Sequence, residues 1–206
     1  MRVTVIDYKA GNLTSVQKAL RHLGAEVEMT DSDLSLIDRA ERIVLPGVGH
    51  FAATRRLDET GMTTAVRAAI ACGVPFLGIC VGMQWLFAGS SEAPQHAGLG
   101  YFAESCARFS ECGEKVPHVG WNSIEPVAGS RLFAGIDPGE HVYFTHSYRA
   151  PVTRDTAAVT SYIEPFAAAV ERGNVMGVQF HPEKSGSAGL AVLRNFLACT
   201  SGEKTC

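Results

Sequence analysis

In the first half of the chain, short apolar runs at strand period alternate with stripes at helical period. Val3 to Ile6 reads as a strand that ends at Asp7. Asn12 then caps a helix whose stripe passes through Val16, Leu20 and Leu23 and stops at Gly24. Ala25 to Met29 and Arg42 to Leu45 read as further strands, the latter running into Pro46-Gly47-Val48-Gly49. A helix from about Gly61 to Ala71 leads to a continuous apolar run, Val74 to Ile79, which suits a strand buried on both faces. This βαβα order predicts an α/β chain with a parallel sheet flanked by helices.

Beyond Gly98 the texture changes. Strand-like segments come closer together, at Ser123–Val127, His141–Phe144, Ala157–Tyr162, Phe166–Glu171 and Val175–Phe180, and their spacing predicts antiparallel ribbons. A last helix, Ala188 to Cys199, carries Leu190, Leu193, Phe196 and Leu197 on one stripe. The expectation is an open, mixed, mainly parallel sheet in one domain over residues 1–206, without repeats or a linker.

The run from Ala68 to Ser91 carries no charge and is long enough to suggest a membrane span, but Pro75, Gly78, Gly82 and Gln84 interrupt it. A strand, a turn and a helix over Met83–Phe87 account for it better. With 206 residues, 46% of them hydrophobic and 19% charged, the chain can build one sizeable core. Its 18 basic and 21 acidic side chains leave a net charge of −3, too balanced for a nucleic-acid or anionic-membrane footprint. The opening apolar run meets Asp7 too soon to be a secretory signal. Cys72, Cys80, Cys106, Cys112, Cys199 and Cys206 form no CxxC pair, and they are expected to be reduced thiols in a cytoplasmic protein. The Asn12-Leu13-Thr14 sequon is then a coincidence. The seven histidines show no paired ligand spacing, so neither a metal nor another cofactor is expected.

The chemistry concentrates at Gly78-Ile79-Cys80-Val81-Gly82, a cysteine between two glycines where a buried strand meets a helix. That is the nucleophile-elbow pattern with Cys in place of Ser. A helix N-terminus favours thiolate, and the N–H of Val81 can donate to an oxyanion. Taken alone, the segment is equally compatible with a buried thiol beside packing glycines. Val175 to Phe180, however, ends in His181-Pro182-Glu183 at the edge of the sheet where α/β ligands bind. An unperturbed thiol is only about 3% thiolate at neutral pH, so a base matters. His181 could take the thiol proton, with Glu183 orienting the imidazole. The Gly47-Val48-Gly49 turn could add a second oxyanion donor or be only a loop.

These residues resemble the class I (triad) glutamine amidotransferases, through Gly78-Ile79-Cys80-Val81-Gly82-Met83-Gln84 and His181-Pro182-Glu183. Asp7-Tyr8-Lys9-Ala10-Gly11-Asn12, Leu45-Pro46-Gly47-Val48-Gly49-His50-Phe51 and Pro117-His118-Val119-Gly120-Trp121-Asn122 are similar, within that class, to the glutaminase subunits of imidazole glycerol phosphate synthase. The resemblance spans nearly the whole chain and implies a flavodoxin-like fold. It implies that Cys80 attacks glutamine, His181 transfers protons and Glu183 orients His181. Val81 and the Gly47-Val48-Gly49 turn would hold the oxyanion, and the turn could need a peptide rearrangement. Gln84, Glu92, Ser147 and Tyr148 would contact glutamine, with Glu92 facing its α-ammonium. Ammonia would pass to a (β/α)8-barrel cyclase subunit, in a heterodimer that makes imidazole glycerol phosphate and an aminoimidazole carboxamide ribotide in histidine biosynthesis. Val81 stands where Leu is frequent. Trp85 stands where a smaller aliphatic is usual, a departure that could slightly reshape the pocket wall.

A physical argument also points to a partner. The whole chain is needed to complete one sheet and its covering layers, whereas ammonia released to water would protonate and diffuse away. An acceptor site must then be supplied by another chain. Pro117, His118, Trp121 and Asn122 are expected at that interface, with Trp121 as the anchor rather than the less favoured core plug. Lys184 is expected to meet the partner near the ammonia entrance. The other readings of the same residues are a glutaminase of another pathway, a different cysteine hydrolase, or a non-catalytic module in which Cys80 senses redox state.

Overall fold

The computed structural model describes residues 1–11, 13–110 and 113–200. The expected cap Asn12, together with Cys112 and Cys206, lies outside the described residues. The first half is built from β1 (Arg2–Ile6), α1 (Leu13–His22), β2 (Glu26–Thr30), α2 (Ser35–Asp38), β3 (Ile43–Gly47), α3 (Arg55–Glu59), α4 (Met62–Ala71) and β4 (Phe76–Cys80). It closes with α5 (Val81–Trp85) and β5 (Phe87–Ser90). The second half contains β6 (Phe102–Arg108), β7 (His118–Ser123), β8 (Glu125–Pro126), β9 (His141–His146), β10 (Tyr148–Arg149), β11 (Thr156–Tyr162), β12 (Glu164–Arg172), β13 (Val175–Val178) and α6 (Gly186–Ala198).

Eight strands form the central sheet in the order β2-β1-β3-β4-β13-β12-β11-β8. Pairing from β2 across to β13 is parallel, and from β13 to β8 it is antiparallel. The mixed, mainly parallel α/β sheet is therefore as the sequence implies. One face packs Val3, Val5, Val44, Leu77 and Ile79 against Val16 and Leu20 of α1 and Val192 and Phe196 of α6. The other packs Ile43, Leu45 and Phe76 against Val66 and Ile70 of α4 and against Trp85 and Phe87. On α6, Val192 takes the fully buried place expected of Leu190.

Several boundaries differ from the sequence reading. The helix expected over Met83–Phe87 begins at Val81 and ends at Trp85, and Phe87 starts a strand that pairs in parallel with β6. Without charges or alternation to mark the change, the apolar run concealed that junction. The strand expected over Ser123–Val127 starts earlier, at His118, because β9 pairs with the chain at every position from His118–His146 to Ser123–His141. Among the described residues no helix is long and apolar enough to cross a membrane. Cys80, Cys106 and Cys199 are free thiols. Cys72 is disulfide-bonded, so the expectation of reduced thiols fails there. It sits half-buried at the C-terminal end of α4.

Candidate active site

Cys80 ends β4 and begins the turn into α5 with φ 54° and ψ −110°. A non-glycine residue in that region is strained by about 1–3 kcal/mol and persists only where its surroundings enforce it. Both flanking glycines do so by close approach. A Cβ on Gly78 would lie 2.4 Å from the Gly82 carbonyl oxygen, and one on Gly82 would lie 1.9 Å from the Leu45 carbonyl oxygen. The tight elbow leaves the sulfur at a cleft of about 230 Å³. That is smaller than the roughly 300–1,000 Å³ clefts that hold drug-sized ligands, and it suits a small metabolite.

His181 reaches the same place from the neighbouring strand. Val178 pairs with Ile79, so the chain beyond β13 emerges beside Cys80. The His181 N–H donates to the Tyr143 carbonyl at 2.9 Å and its carbonyl accepts from the Ser185 hydroxyl at 2.6 Å, which fixes the backbone. Its Nδ1 lies 2.9 Å from Glu183 Oε1, in a pair whose side chains are 2% and 1% exposed. Burial alone would disfavour the imidazolium. Cys80 and then Glu183 more than offset it, so the pKa of His181 is raised to about 10. The Nε2 atom is buried near enough to feel the thiol but completes no hydrogen bond. It is free to exchange a proton with a reacting group.

The cleft gathers most of the expected ligand contacts. Gln84, Glu92, Ser147 and Tyr148 line it with Cys80 and Val81, and so do Gly49 and Pro117. Glu92 Oε2 accepts the Phe51 N–H at 2.7 Å. Gln84 spends its amide nitrogen on the Tyr148 carbonyl at 2.9 Å and on Gln179 Oε1 at 3.0 Å, so it offers the cleft only an oxygen. Trp85 does not line the cleft. It is 1% exposed, its ring centroid 6.2 Å from that of Phe76 in the apolar core, so the expected effect on the pocket wall is absent.

The two segments expected to donate to an oxyanion differ. Val81 is the first residue of α5, where helix geometry leaves the N–H without an intrahelical acceptor. Gly47 pairs with Cys80 across β3 and β4, which brings its turn beside the elbow. The Val48 N–H, however, donates to the Ala10 carbonyl at 3.4 Å and is turned from the cleft. Gly49 follows with φ 92°.

The residues expected at an interface divide. Trp121 is 57% exposed and Val119 56%, on the outward side of β7, so Trp121 is not a core plug. Lys184 holds its ammonium 5.7 Å from the Tyr143 ring, which in turn lies 6.2 Å from the Trp121 ring. His118 is different: it is buried at 3% exposure because strand alternation turns it inward, between the rings of Tyr162 and Phe144. Pro117 faces the cleft, and Asn122 is half-buried with its amide turned to His118. Sequence reasoning missed Gln179, whose amide nitrogen lies 3.6 Å from Cys80 Sγ. Its signal was present, as a lone amide in the otherwise apolar run Val175–Phe180.

The family model for glutamine amidotransferase class-I matches residues 4–199. The imidazole glycerol phosphate synthase subunit HisH of Salinibacter ruber is 47% identical over 214 residues, covering 98% of this chain and 96% of its own. The chloroplastic imidazole glycerol phosphate synthase hisHF of Arabidopsis thaliana is 43% identical, covering 95% of this chain and 34% of its own. Among solved structures, PurLQS from Thermotoga maritima superposes with a TM-score of 0.73 at 21% identity, covering 95% of this chain and 97% of its own, a likeness of fold.

Proposed function

The chain belongs to the class-I glutamine amidotransferases, and from that premise we propose that it releases ammonia from glutamine through a thioester on Cys80. It supplies that ammonia to imidazole glycerol phosphate synthesis, a step of histidine biosynthesis. Residues 1–206 serve as one amidotransferase domain. The observation that carries the reading is the strained elbow that presents Cys80 beside an imidazole held by Glu183 and free at Nε2.

In the first half-reaction the thiol proton moves to His181 Nε2, whose raised pKa holds it there before the attack, and Cys80 Sγ then attacks the side-chain amide carbon of glutamine. The oxyanion that develops accepts from the Val81 N–H and, once the turn rearranges, from an N–H of Gly47-Val48-Gly49. The imidazolium then protonates the leaving nitrogen, the C–N bond breaks and ammonia departs. In the second, His181 takes a proton from water, the resulting oxygen nucleophile displaces sulfur, and glutamate and the thiol are restored. Glu183 keeps the imidazole in the orientation and charge state these transfers need. Glu92 receives the substrate's α-ammonium, and Gln84, Ser147 and Tyr148 complete the pocket.

A second chain takes up the ammonia. We assign that role to a (β/α)8-barrel cyclase, docked on the face carrying Val119, Trp121, Tyr143 and Lys184. Trp121 exposed beside Val119 on one strand supports this, because tryptophan is enriched among interface hot spots when a partner covers it. The compound name of the plant relative, with only 34% of its length matched, supports a cyclase unit that this chain meets as a separate subunit. The test is Cys80→Ala in the complex. Glutamine-dependent product formation is expected to vanish while synthesis from added ammonium salts persists, and loss of both would count against the reading.

A further inference from the structure

We propose that Gln179 is a positioning residue for the Cys80 nucleophile, its amide nitrogen kept toward the sulfur by a hydrogen-bond chain that the Tyr148 carbonyl polarises and His118 and His146 anchor beneath β7. The proposal deepens the reading of Cys80 as the nucleophile and rests on it.

The geometry begins at the Tyr148 carbonyl, which can only accept. Gln84 lies 2.9 Å away, so the Gln84 atom facing it is the amide nitrogen. The same nitrogen lies 3.0 Å from Gln179, which must therefore present its oxygen. With that oxygen turned to Gln84, the Gln179 nitrogen is left facing Cys80 Sγ at 3.6 Å. A sulfur that becomes anionic gains a donor already in place, without reorientation at the moment of ionisation. Gln84, Gln179 and Cys80 are each at most 3% exposed, so water does not compete for these bonds.

The other arm fixes the carbonyl itself. His146 Nδ1 lies 2.9 Å from the Tyr148 oxygen and must donate, so in the neutral ring its Nε2 accepts. His118 Nδ1, at 3.1 Å, is then the donor to it, and His118 Nε2 is an acceptor. From the far end the result is the same. Asn122 takes the Ser123 N–H on its oxygen at 2.8 Å and gives its nitrogen to the Ser161 carbonyl at 3.1 Å, so it also donates to His118 Nε2 at 3.3 Å. Two independent carbonyls thus require one tautomer for each imidazole. Burial holds both rings neutral, with pKa values pushed down to about 4 for His118 and about 3 for His146. A second proton on either ring would set donor against donor.

The readout is the pH dependence of Cys80 alkylation by iodoacetamide in the full chain, followed by peptide mass spectrometry. It needs neither glutamine nor a partner, so failure of the glutaminase reading stays distinguishable from failure of this one. The ionisable groups around Cys80 are His181 and, behind it, Glu183, with Tyr8 at the end of β1 and Glu92 in the cleft; all are retained. Gln179→Met fills the same volume without a donor and is expected to raise the alkylation midpoint by about one pH unit. His118→Phe keeps the ring stacked on Tyr162, whose centroid is 4.1 Å away, but breaks the anchoring arm. It is expected to shift the midpoint in the same direction by less. In the complex both variants are expected to lower kcat for glutamine with little change in KM. Two variants are used so that a folding failure in one leaves the other to decide. An unmoved midpoint in folded Gln179→Met overturns the role of Gln179, and one in folded His118→Phe overturns the anchoring by the imidazoles.

Discussion

The Val48 N–H donates to the carbonyl of Ala10 at 3.4 Å, away from the cysteine whose reaction it would assist. Under the proposed mechanism the elbow and the imidazole are in place, and a second oxyanion donor has to come from a change in that turn.

The consequence is low glutaminase activity in the isolated chain. Loss of a single oxyanion donor costs about 10²–10³ in kcat in other hydrolases. A gain of that order is expected when the cyclase subunit and its ligand are added, and it is read by glutamate release under saturating glutamine. High turnover of the chain alone would show that the Val48–Ala10 bond gates nothing.

Stability should fall on mild acidification. His118 and His146 have folded pKa values lowered to about 4 and about 3, below the ordinary 6.5. Their contribution is therefore complete above pH 6.5 and is lost as pH falls toward the folded values, because the unfolded chain binds protons that the native one refuses. Each accounts for about 1.4 kcal/mol per pH unit in that interval. His181 has the opposite sign. With its pKa raised to about 10, its contribution is complete below 6.5 and is lost as pH rises through 10. Denaturant midpoints at pH 4.5, 6.5 and about 10 should be highest at the middle value; a midpoint that rises from 6.5 to 4.5 would refute the neutral assignment of the two histidines.

Tyr8→Phe should stabilise the chain. The Tyr8 hydroxyl is buried without a hydrogen-bond partner, and burial, with Cys80 adding, drives its pKa far upward. Removing an unpaired buried hydroxyl is expected to gain about 1 kcal/mol, read as a higher thermal midpoint. Destabilisation of that size would mean that the hydroxyl has a partner in solution.

Much of this molecule was legible in the sequence because its chemistry is local. Glycines two positions either side of Cys80 state that a backbone must pass closely there, and the observed approaches at Gly78 and Gly82 bear this out. His181 and Glu183 are two residues apart, so one turn sets their pairing. Much of the strand and helix order followed from periodicity, which failed where the period was concealed, as in the run that hides α5 and β5, and which did not mark α2, β6 or most of β7.

What the sequence by itself determined was the family, much of the order of elements and the three residues read as a triad. Only the tertiary structure decided that Val48 points to Ala10, that His118 faces inward while Trp121 faces out, and that Gln179 rather than a closer neighbour donates to the sulfur. The contacts of Gln179 with Cys80 and Gln84 join residues 99 and 95 positions apart, and His118 meets His146 across 28. Hydrogen-bond polarity is set by which acceptor lies opposite, and that neighbour is chosen by strand register and helix packing across the whole sheet.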